Sequence, residues 1–232
     1  MIILIPPSER KSLTNNSLIT FKSTNSPFSN QIEAILSKLN DLDQDGINKL
    51  YGTSFDKSRN IHRANLEILN QNCSPAIDRY EGVVYKNLQP SSLDSTSTKY
   101  LFDHVRITSA FMGLISADTL IPYYKLKMGS LNLAQFWNPI FSKSLEQEDL
   151  IIDLLPQIHR KSYTLGKATI TVDFKIKKGE KTISSGHMGK AIKGKFIRFL
   201  IQNQIKNIRD MKEFKEDGFI WDSDTSAFYK TT

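Results

Sequence analysis

The sequence predicts a single compact domain of the mixed α/β class over residues 1–232, in which a mixed β-sheet is flanked by helices. Short apolar, β-branched runs typical of buried strands alternate with longer stretches whose apolar residues have helical spacing. No internal repeat and no Pro/Gly-rich or charged linker divides the 232 residues. The composition, with 39% hydrophobic and 24% charged residues, is that of a soluble globular protein.

Five runs predict strands, and four stretches predict helices. The predicted strands are residues 2–5, 105–108, 150–154, 168–175 and 182–185. Residues 168–175 alternate apolar and polar side chains, which predicts one continuous strand that turns at 178–180 and returns through 182–185. The predicted helices are residues 30–40, 63–71, 132–148 and 190–205. The polar stretch 89–98 is expected to be a surface loop.

The compartment predicted by the sequence is the cytoplasm. No apolar run reaches the roughly 20 residues that a membrane helix needs, and the apolar N-terminal run is too short for a signal peptide. The single cysteine, Cys73, excludes an internal disulfide, which favours a reducing compartment. The four histidines are scattered, so the sequence predicts no metal site and no cofactor. It leaves the oligomeric state open.

The net charge of +7 is concentrated in one segment. Residues 183–213 hold seven basic and two acidic residues. Such a positive field attracts nucleic acid or phosphorylated molecules, although a solvated helix face would give the same pattern. Within this segment, residues 186–190 (Gly-His-Met-Gly-Lys) are interpreted as an anion site at a helix start or as an ordinary strand-to-helix turn.

Two further segments are candidate ligand sites. Residues 8–11 (Ser-Glu-Arg-Lys) follow the first predicted strand, where mixed sheets often bind ligands, but a capped surface turn fits equally. Residues 41–63 predict two helices joined by a hairpin, which either presents backbone N–H groups to a phosphate or is a simple packing corner.

Several motifs follow one another along nearly the whole chain. They are residues 7–11 (Pro-Ser-Glu-Arg-Lys), 80–85 (Tyr-Glu-Gly-Val-Val-Tyr), 109–114, 121–129, Phe136-Trp137, 151–154, 190–194 with Arg198, and 218–222. In this order the motifs resemble one family, the YaaA-like peroxide stress proteins, also called UPF0246 or DUF328. The chain departs from the family at residues 116–119, where an arginine and a carboxylate are expected, and at Lys125, where the family has arginine.

The resemblance implies a mixed α/β fold with a basic cleft and a helix-hairpin-helix element at about 31–70. It also implies DNA binding linked to protection against hydrogen peroxide. The implied nucleic-acid or anion-binding residues are Lys11, Arg106, Lys125, Lys190, Lys193 and Arg198. The implied hairpin residues are Gly46, Lys49, Gly52, Lys57 and Arg59.

Two hypotheses for the function follow. In the first, the chain is a cytoplasmic stress protein that binds the phosphate backbone of double-stranded or distorted DNA with little sequence preference. In the second, the same cleft holds a phosphorylated or otherwise anionic small molecule, as a binder or as an enzyme. The second hypothesis rests on the mixed chemistry of the candidate catalytic residues Ser8, Glu9, Lys11 and Tyr124. The sequence leaves open whether any reaction is catalysed.

Overall fold

The computed structural model describes residues 1–179 and 181–231. The strands of these residues are β1 (Ile2–Ile5), β2 (Arg10–Lys11), β3 (Ser74–Pro75), β4 (Tyr80–Glu81), β5 (Val105–Ser109), β6 (Gly113–Ser116), β7 (Leu120–Ile121), β8 (Ile151–Asp153), β9 (Thr169–Thr171), β10 (Asp173–Lys178), β11 (Lys181–Ser184), β12 (Ile220–Asp222) and β13 (Ala227–Thr231).

The helices are α1 (Ser29–Asn40), α2 (Gln44–Tyr51), α3 (Phe55–Leu66), α4 (Ala76–Arg79), α5 (Val83–Leu88), α6 (Ser95–His104), α7 (Leu133–Leu145), α8 (Gln157–Arg160), α9 (Gly186–Gln202) and α10 (Ile208–Met211). Short 3-10 helices span Phe21–Ser23, Ile68–Asn70 and Pro90–Ser92. The mixed α/β class predicted from the sequence is confirmed. No helix of the described residues combines the length and the apolar character needed to cross a bilayer.

The apolar N-terminal run forms the centre of the main sheet, whose strand order is β6-β5-β1-β8-β9. Strand β1 is parallel to β5 on one side and to β8 on the other, and β6 returns antiparallel to β5. All four residues of β1 are buried, which is the pattern of a strand covered on both faces. The carboxyl ends of β1, β5 and β8 therefore lie at one edge of the sheet.

A second sheet with the order β11-β10-β13-β12 carries the C-terminal part of the chain. Its buried face supplies Phe174 and Phe228, whose rings stack at 5.3 Å, and Phe196 of α9 packs against both rings. This aromatic cluster attaches the basic helix α9 to the second sheet. The sequence predicted one mixed sheet, and this second, separate sheet was not predicted.

The prediction of one continuous strand over residues 168–175 is wrong. The chain forms β9 in the main sheet and β10 in the second sheet, and Val172 lies between them with its backbone N–H donated to Asp153 O at 2.9 Å. Alternation of side chains is preserved across this break, so the sequence pattern does not reveal it. The predicted return through β11 is observed, whereas residue 180 of the predicted turn lies outside the described residues.

The largest other differences from the predictions lie at three boundaries. Residues 95–98 of the expected loop are the start of α6, because the Asp94 carboxylate accepts a hydrogen bond from Ser97 N–H at 2.7 Å and caps the helix. The helix expected over 63–71 is instead α3, which starts at Phe55 and is followed by a 3-10 turn. Helix α9 begins at Gly186, so the segment 186–190 is its first turn rather than a connecting loop.

Helix α9 approaches α5 closely at Gly194. A Cβ atom at Gly194 would lie 2.3 Å from Val84 O and 2.7 Å from Asn87 Cβ. A Cβ contact of 2.3 Å with a backbone oxygen cannot be relieved by rotating a side chain. The packing of α9 on α5 therefore requires glycine at this position.

We expect Gly194→Ala to lower the free energy of unfolding by about 1–3 kcal/mol, because the added methyl group forces the two helices apart. Urea denaturation of the purified chain measures this loss. Gly166→Ala is the matched control, since its added methyl group meets no atom within 4 Å. Equal stability of the two variants would show that α5 and α9 do not pack as described.

Candidate functional site

A cavity of about 510 Å³ lies at the carboxyl edge of the main sheet. The loop after β1 contributes Ser8 and Lys11, the turn after β5 contributes Ala110, and the segment after β8 contributes His159. This is the edge at which parallel strands deliver their following loops, so three distant parts of the sequence meet there. The four candidate catalytic residues Ser8, Glu9, Lys11 and Tyr124 all line this first cavity.

Lys11 is a buried lysine in the cavity wall, with 8% of its surface exposed. Strand β2 pairs with β4 and sets Lys11 opposite Tyr80. The Lys11 Nζ atom donates to Ser8 O at 2.9 Å and lies 4.2 Å from the centre of the Tyr124 ring. Burial, assisted by the positive charges of Lys125 and Arg79 and opposed by Glu9, lowers the pKa of Lys11 to about 7.

A chain of hydroxyl groups supports the aromatic wall beside Lys11. The Ser109 Oγ atom accepts hydrogen bonds from the backbone N–H groups of Phe111 and Met112, so its own proton is directed to Tyr124 Oη at 2.7 Å. Tyr124 Oη also lies 2.6 Å from Tyr80 Oη. Burial raises the pKa of Tyr124 to about 12, so both phenols remain protonated at neutral pH. Their rings therefore offer Lys11 neutral faces.

The loop that follows Lys11 is fixed by Arg79, whose side chain is fully buried. Its guanidinium donates to the carbonyl oxygens of Ser12 and Thr14 at 2.7 and 2.9 Å and to Asn15 Oδ1 at 2.8 Å. These bonds replace the water that a buried guanidinium loses. Arg79 therefore holds residues 12–15, which follow Lys11, in one conformation.

Helices α2 and α3 form a helical hairpin that makes another wall of the first cavity. Asp43 caps α2 by accepting from Gly46 N–H at 2.8 Å, and Gly52 ends it with φ +57°, a left-handed conformation that favours glycine. The buried Asn65 of α3 then bonds to Tyr51 Oη, and to the carbonyl oxygen and N–H of Lys125. These three bonds fix the hairpin against the segment that carries Lys125.

The charge around the first cavity is strongly unbalanced. Lys11, Lys57, Lys125 and Lys127 line it, whereas Glu9 is the one carboxylate among the lining residues of the described chain. Glu9 is 80% exposed at the rim and lies 3.5 Å from the Lys127 amine. An exposed pair of this kind is weak. The cavity therefore has the electrostatic character of an anion site.

His159 contributes a neutral imidazole to the same cavity. Its Nδ1 atom lies 2.9 Å from Thr108 Oγ1 on β5. Burial lowers the pKa of His159 to about 4, so the ring is uncharged at pH 7. It supplies a polar contact for a ligand without adding to the positive charge.

Lys190 and Lys193 line a second cavity of about 490 Å³, which lies at the start of α9. Lys190 is exposed, whereas Lys193 is half-buried and donates to Leu154 O. Burial lowers the pKa of Lys193 to about 8 despite the nearby Asp173 and Asp153. The second cavity includes Pro156, and the first includes Ile158 and His159, so the segment 156–159 borders them both.

The structure does not bring all six predicted cations into one cleft. Arg106 lines a separate cavity and donates to Phe102 O and Val105 O, both at 3.0 Å. Arg198 lines a further cavity, where it donates to Leu88 O, Gln89 O and Ser92 Oγ. The Arg106 guanidinium is thus bonded to the carboxyl end of α6 and the start of β5, and that of Arg198 to the end of α5 and the turn after it. Lys11 and Lys125 share the first cavity, and Lys190 and Lys193 share the second.

The predicted hairpin residues have different positions. Gly46 and Gly52 shape α2 as described above, and Lys57 lines the first cavity. Lys49 and Arg59 are exposed, and the Arg59 guanidinium lies 5.5 Å from the Phe55 ring centre. Helices α2 and α3 and the short connection between them are observed, and their assignment as a DNA-binding helix-hairpin-helix element stays a prediction. Among the described residues, no three His, Cys, Asp or Glu side chains are grouped as metal ligands would be.

Sequence reasoning missed three contributors to the site, namely Lys127, His159 as a cavity residue, and Arg79. Lys127 follows Lys125 at a spacing of two, which in an extended segment places two side chains on one face. That spacing is a usable signal. No sequence signal marks Arg79, because an arginine at a helix end is common. Its partners in residues 12–15 are brought to it only by the fold.

Comparisons with known proteins give one consistent result. A family model described as "Peroxide stress protein YaaA" matches residues 1–225. A UPF0246 protein of Agathobacter rectalis is 30% identical over 175 residues, which cover 70% of each chain. A UPF0246 protein of Limosilactobacillus reuteri is 28% identical over 98% of this chain and 96% of its own length. A Streptococcus pneumoniae UPF0246 protein is 24% identical over 97% of this chain and 96% of its own length.

The lowered pKa of Lys11 predicts a pH-dependent stability. The unfolded chain holds the extra proton up to about pH 10.4, whereas the folded chain releases it near pH 7. The free energy of unfolding therefore rises with pH in this interval, by up to about 1.4 kcal/mol per pH unit from this group. Lys11→Met should lack this contribution when urea unfolding is measured between pH 7 and pH 9.

Lys143→Met is the control, because Lys143 is exposed on α7 and should leave the wild-type slope unchanged. Lys193 contributes equally to all three proteins, so the difference in slope isolates Lys11. Identical slopes for Lys11→Met and the wild type would contradict a buried, readily deprotonated amine.

Proposed function

The chain belongs to the peroxide stress protein family YaaA, and from this premise we propose that it acts in the cytoplasm as a DNA-binding protein of the hydrogen peroxide response. The observation that carries the proposal is the set of four lysines against one carboxylate around the first cavity, beside a helical hairpin. Such an excess neutralises phosphates without reading bases, so the binding has little sequence preference.

The proposed DNA path crosses the rim of the first cavity and the segment 156–159, and continues to Lys190 at the second cavity. Lys57, Lys127 and Lys190 are exposed, so their ammonium groups are free to move to phosphate oxygens. Lys193 is half-buried and donates to Leu154 O, and supports this path as a fixed positive charge. Arg106 and Arg198 lie outside the path.

A titration of a fluorescent duplex with the protein, by anisotropy at several salt concentrations, tests this function. We expect log K to fall linearly with log salt, with a slope of about 0.9 per phosphate contacted. Replacing Lys125 and Lys127 by alanine should weaken binding to all DNA sequences alike and reduce the slope by about 0.9 for each lysine that contacts a phosphate.

Lys99→Ala is the matched control, because Lys99 lies on α6, pairs with Asp103 at 2.7 Å, and precedes the amino end of β5, away from the first cavity. Binding that stays constant as salt rises, or that Lys99→Ala weakens as much as the cavity variants do, would contradict the proposal.

The burial of Lys11 favours a second candidate, an anionic small molecule held inside the first cavity. Its volume of about 510 Å³ falls within the range of small-ligand sites, and a DNA duplex lies across its rim rather than inside it. Adding a sugar phosphate to the same DNA titration separates the candidates. Displacement of DNA at constant ionic strength supports a small-molecule site that overlaps the DNA path, and unchanged binding counts against it.

A further inference from the structure

We propose that the Lys11 amine forms a Schiff base with an aldehyde that is carried beside a phosphate group in the first cavity. This inference rests on the proposed function, because it requires the cavity to receive an anionic ligand. The shared chemistry of the ligand is a phosphorylated aldehyde. It has two sources: the ring-opened sugar of an abasic site in DNA, and a free sugar phosphate.

The position of the amine suits a nucleophile. It lies in the cavity wall with a hydrogen bond to Ser8 O, and the rings of Tyr124 and Tyr80 lie 4.2 and 5.3 Å from it. In the described part of the chain Lys11 forms no ion pair within 4.0 Å. The nearby Glu9 carboxylate instead pairs with the Lys127 amine at 3.5 Å. The neutral amine donates one N–H to Ser8 O. Its second N–H and its lone pair can then face a ligand.

The surroundings keep a useful fraction of this amine neutral at physiological pH. Burial has the largest effect and disfavours the ammonium form, as do the charges of Lys125 and Arg79, whereas Glu9 favours it. Tyr80 and Tyr124 remain uncharged phenols beside it. With a pKa of about 7, roughly half of Lys11 is neutral at pH 7, whereas an ordinary exposed lysine is neutral about a thousand times less often. Only the neutral amine has the lone pair that attacks a carbonyl carbon.

The neighbouring lysines select the phosphate. Lys57, Lys125 and Lys127 line the same cavity, and their amino groups can donate hydrogen bonds to phosphate oxygens. An aldehyde on the same carbon chain would then be delivered to Lys11 from a fixed anchor. A deoxyribose that has lost its base is small enough to enter a cavity of about 510 Å³ from a duplex on the rim.

The reaction is balanced without an oxidant or a reductant. The lone pair of the neutral amine forms the C–N bond, and the C=O π electrons move to oxygen. The carbonyl oxygen then leaves as water, with one proton from the nitrogen and one from solvent. The products are a protonated imine on Lys11 and one water molecule.

Borohydride trapping tests the inference, because hydride addition to the imine carbon makes the bond permanent. The full chain is incubated at pH 7 with an abasic-site duplex, an undamaged duplex or glyceraldehyde 3-phosphate, and sodium borohydride is added. Peptide mass spectrometry then locates the adduct. We expect one adduct at Lys11 with at least one of the two aldehydes, at least tenfold above any other lysine, and none with the undamaged duplex.

Lys11→Arg keeps a positive charge but cannot form an imine, and it should lose the adduct. Circular dichroism checks that this variant folds. The position of the adduct in the wild-type chain tests the inference independently of the variant. The aldehyde that reacts identifies the source.

Adducts spread over exposed lysines, or none at Lys11 in a folded chain that binds the ligand, would overturn the inference and leave the proposed function intact. Failure to bind DNA would instead overturn the proposed function.

Discussion

The site depends on the burial of one amine. An ammonium group that leaves water loses several kcal/mol of solvation unless it finds partners, and Lys11 finds one carbonyl oxygen and two aromatic faces. The pairing of β2 with β4 and the backbone bonds of Arg79 prevent the side chain from escaping to solvent. Because the fold enforces this burial, the pKa of the Lys11 amine is lowered. The chemistry of the cavity follows from this lowered pKa.

The topology of the main sheet explains where the cavity around this amine lies. Parallel strands β1, β5 and β8 end at the same edge, so the segments that follow them converge there. Asn65 then binds the backbone of Lys125 and couples the helical hairpin to that edge. Four lysines from three segments thus surround one cavity with a single carboxylate at its rim. This arrangement concentrates positive potential where a ligand can enter.

Much of the fold could be predicted from local patterns, whereas the shape of the site could not. The apolar run 2–5 and the helical stripe of α7 follow from periodicity alone. The break at Val172 left the alternation of side chains intact, so no local signal marked the passage from one sheet to the other. Segment charge indicated Lys190 and Lys193, and resemblance added Lys125. Neither could show that Arg106 and Arg198 bond to nearby parts of the chain, because most of those partners are backbone carbonyl oxygens that any sequence provides.

The most direct test of the account is the protonation of Lys11 itself. Lysine labelled with ¹³C at Cε allows each amine to be titrated by NMR between about pH 5 and pH 11, and Lys11→Arg assigns the Lys11 signal. We expect the Lys11 signal to titrate with a pKa of about 7, well below the reference value of about 10.4 for a solvated lysine. A Lys11 signal that titrates together with the exposed lysines would contradict the account, because the amine would then be an ordinary solvated cation.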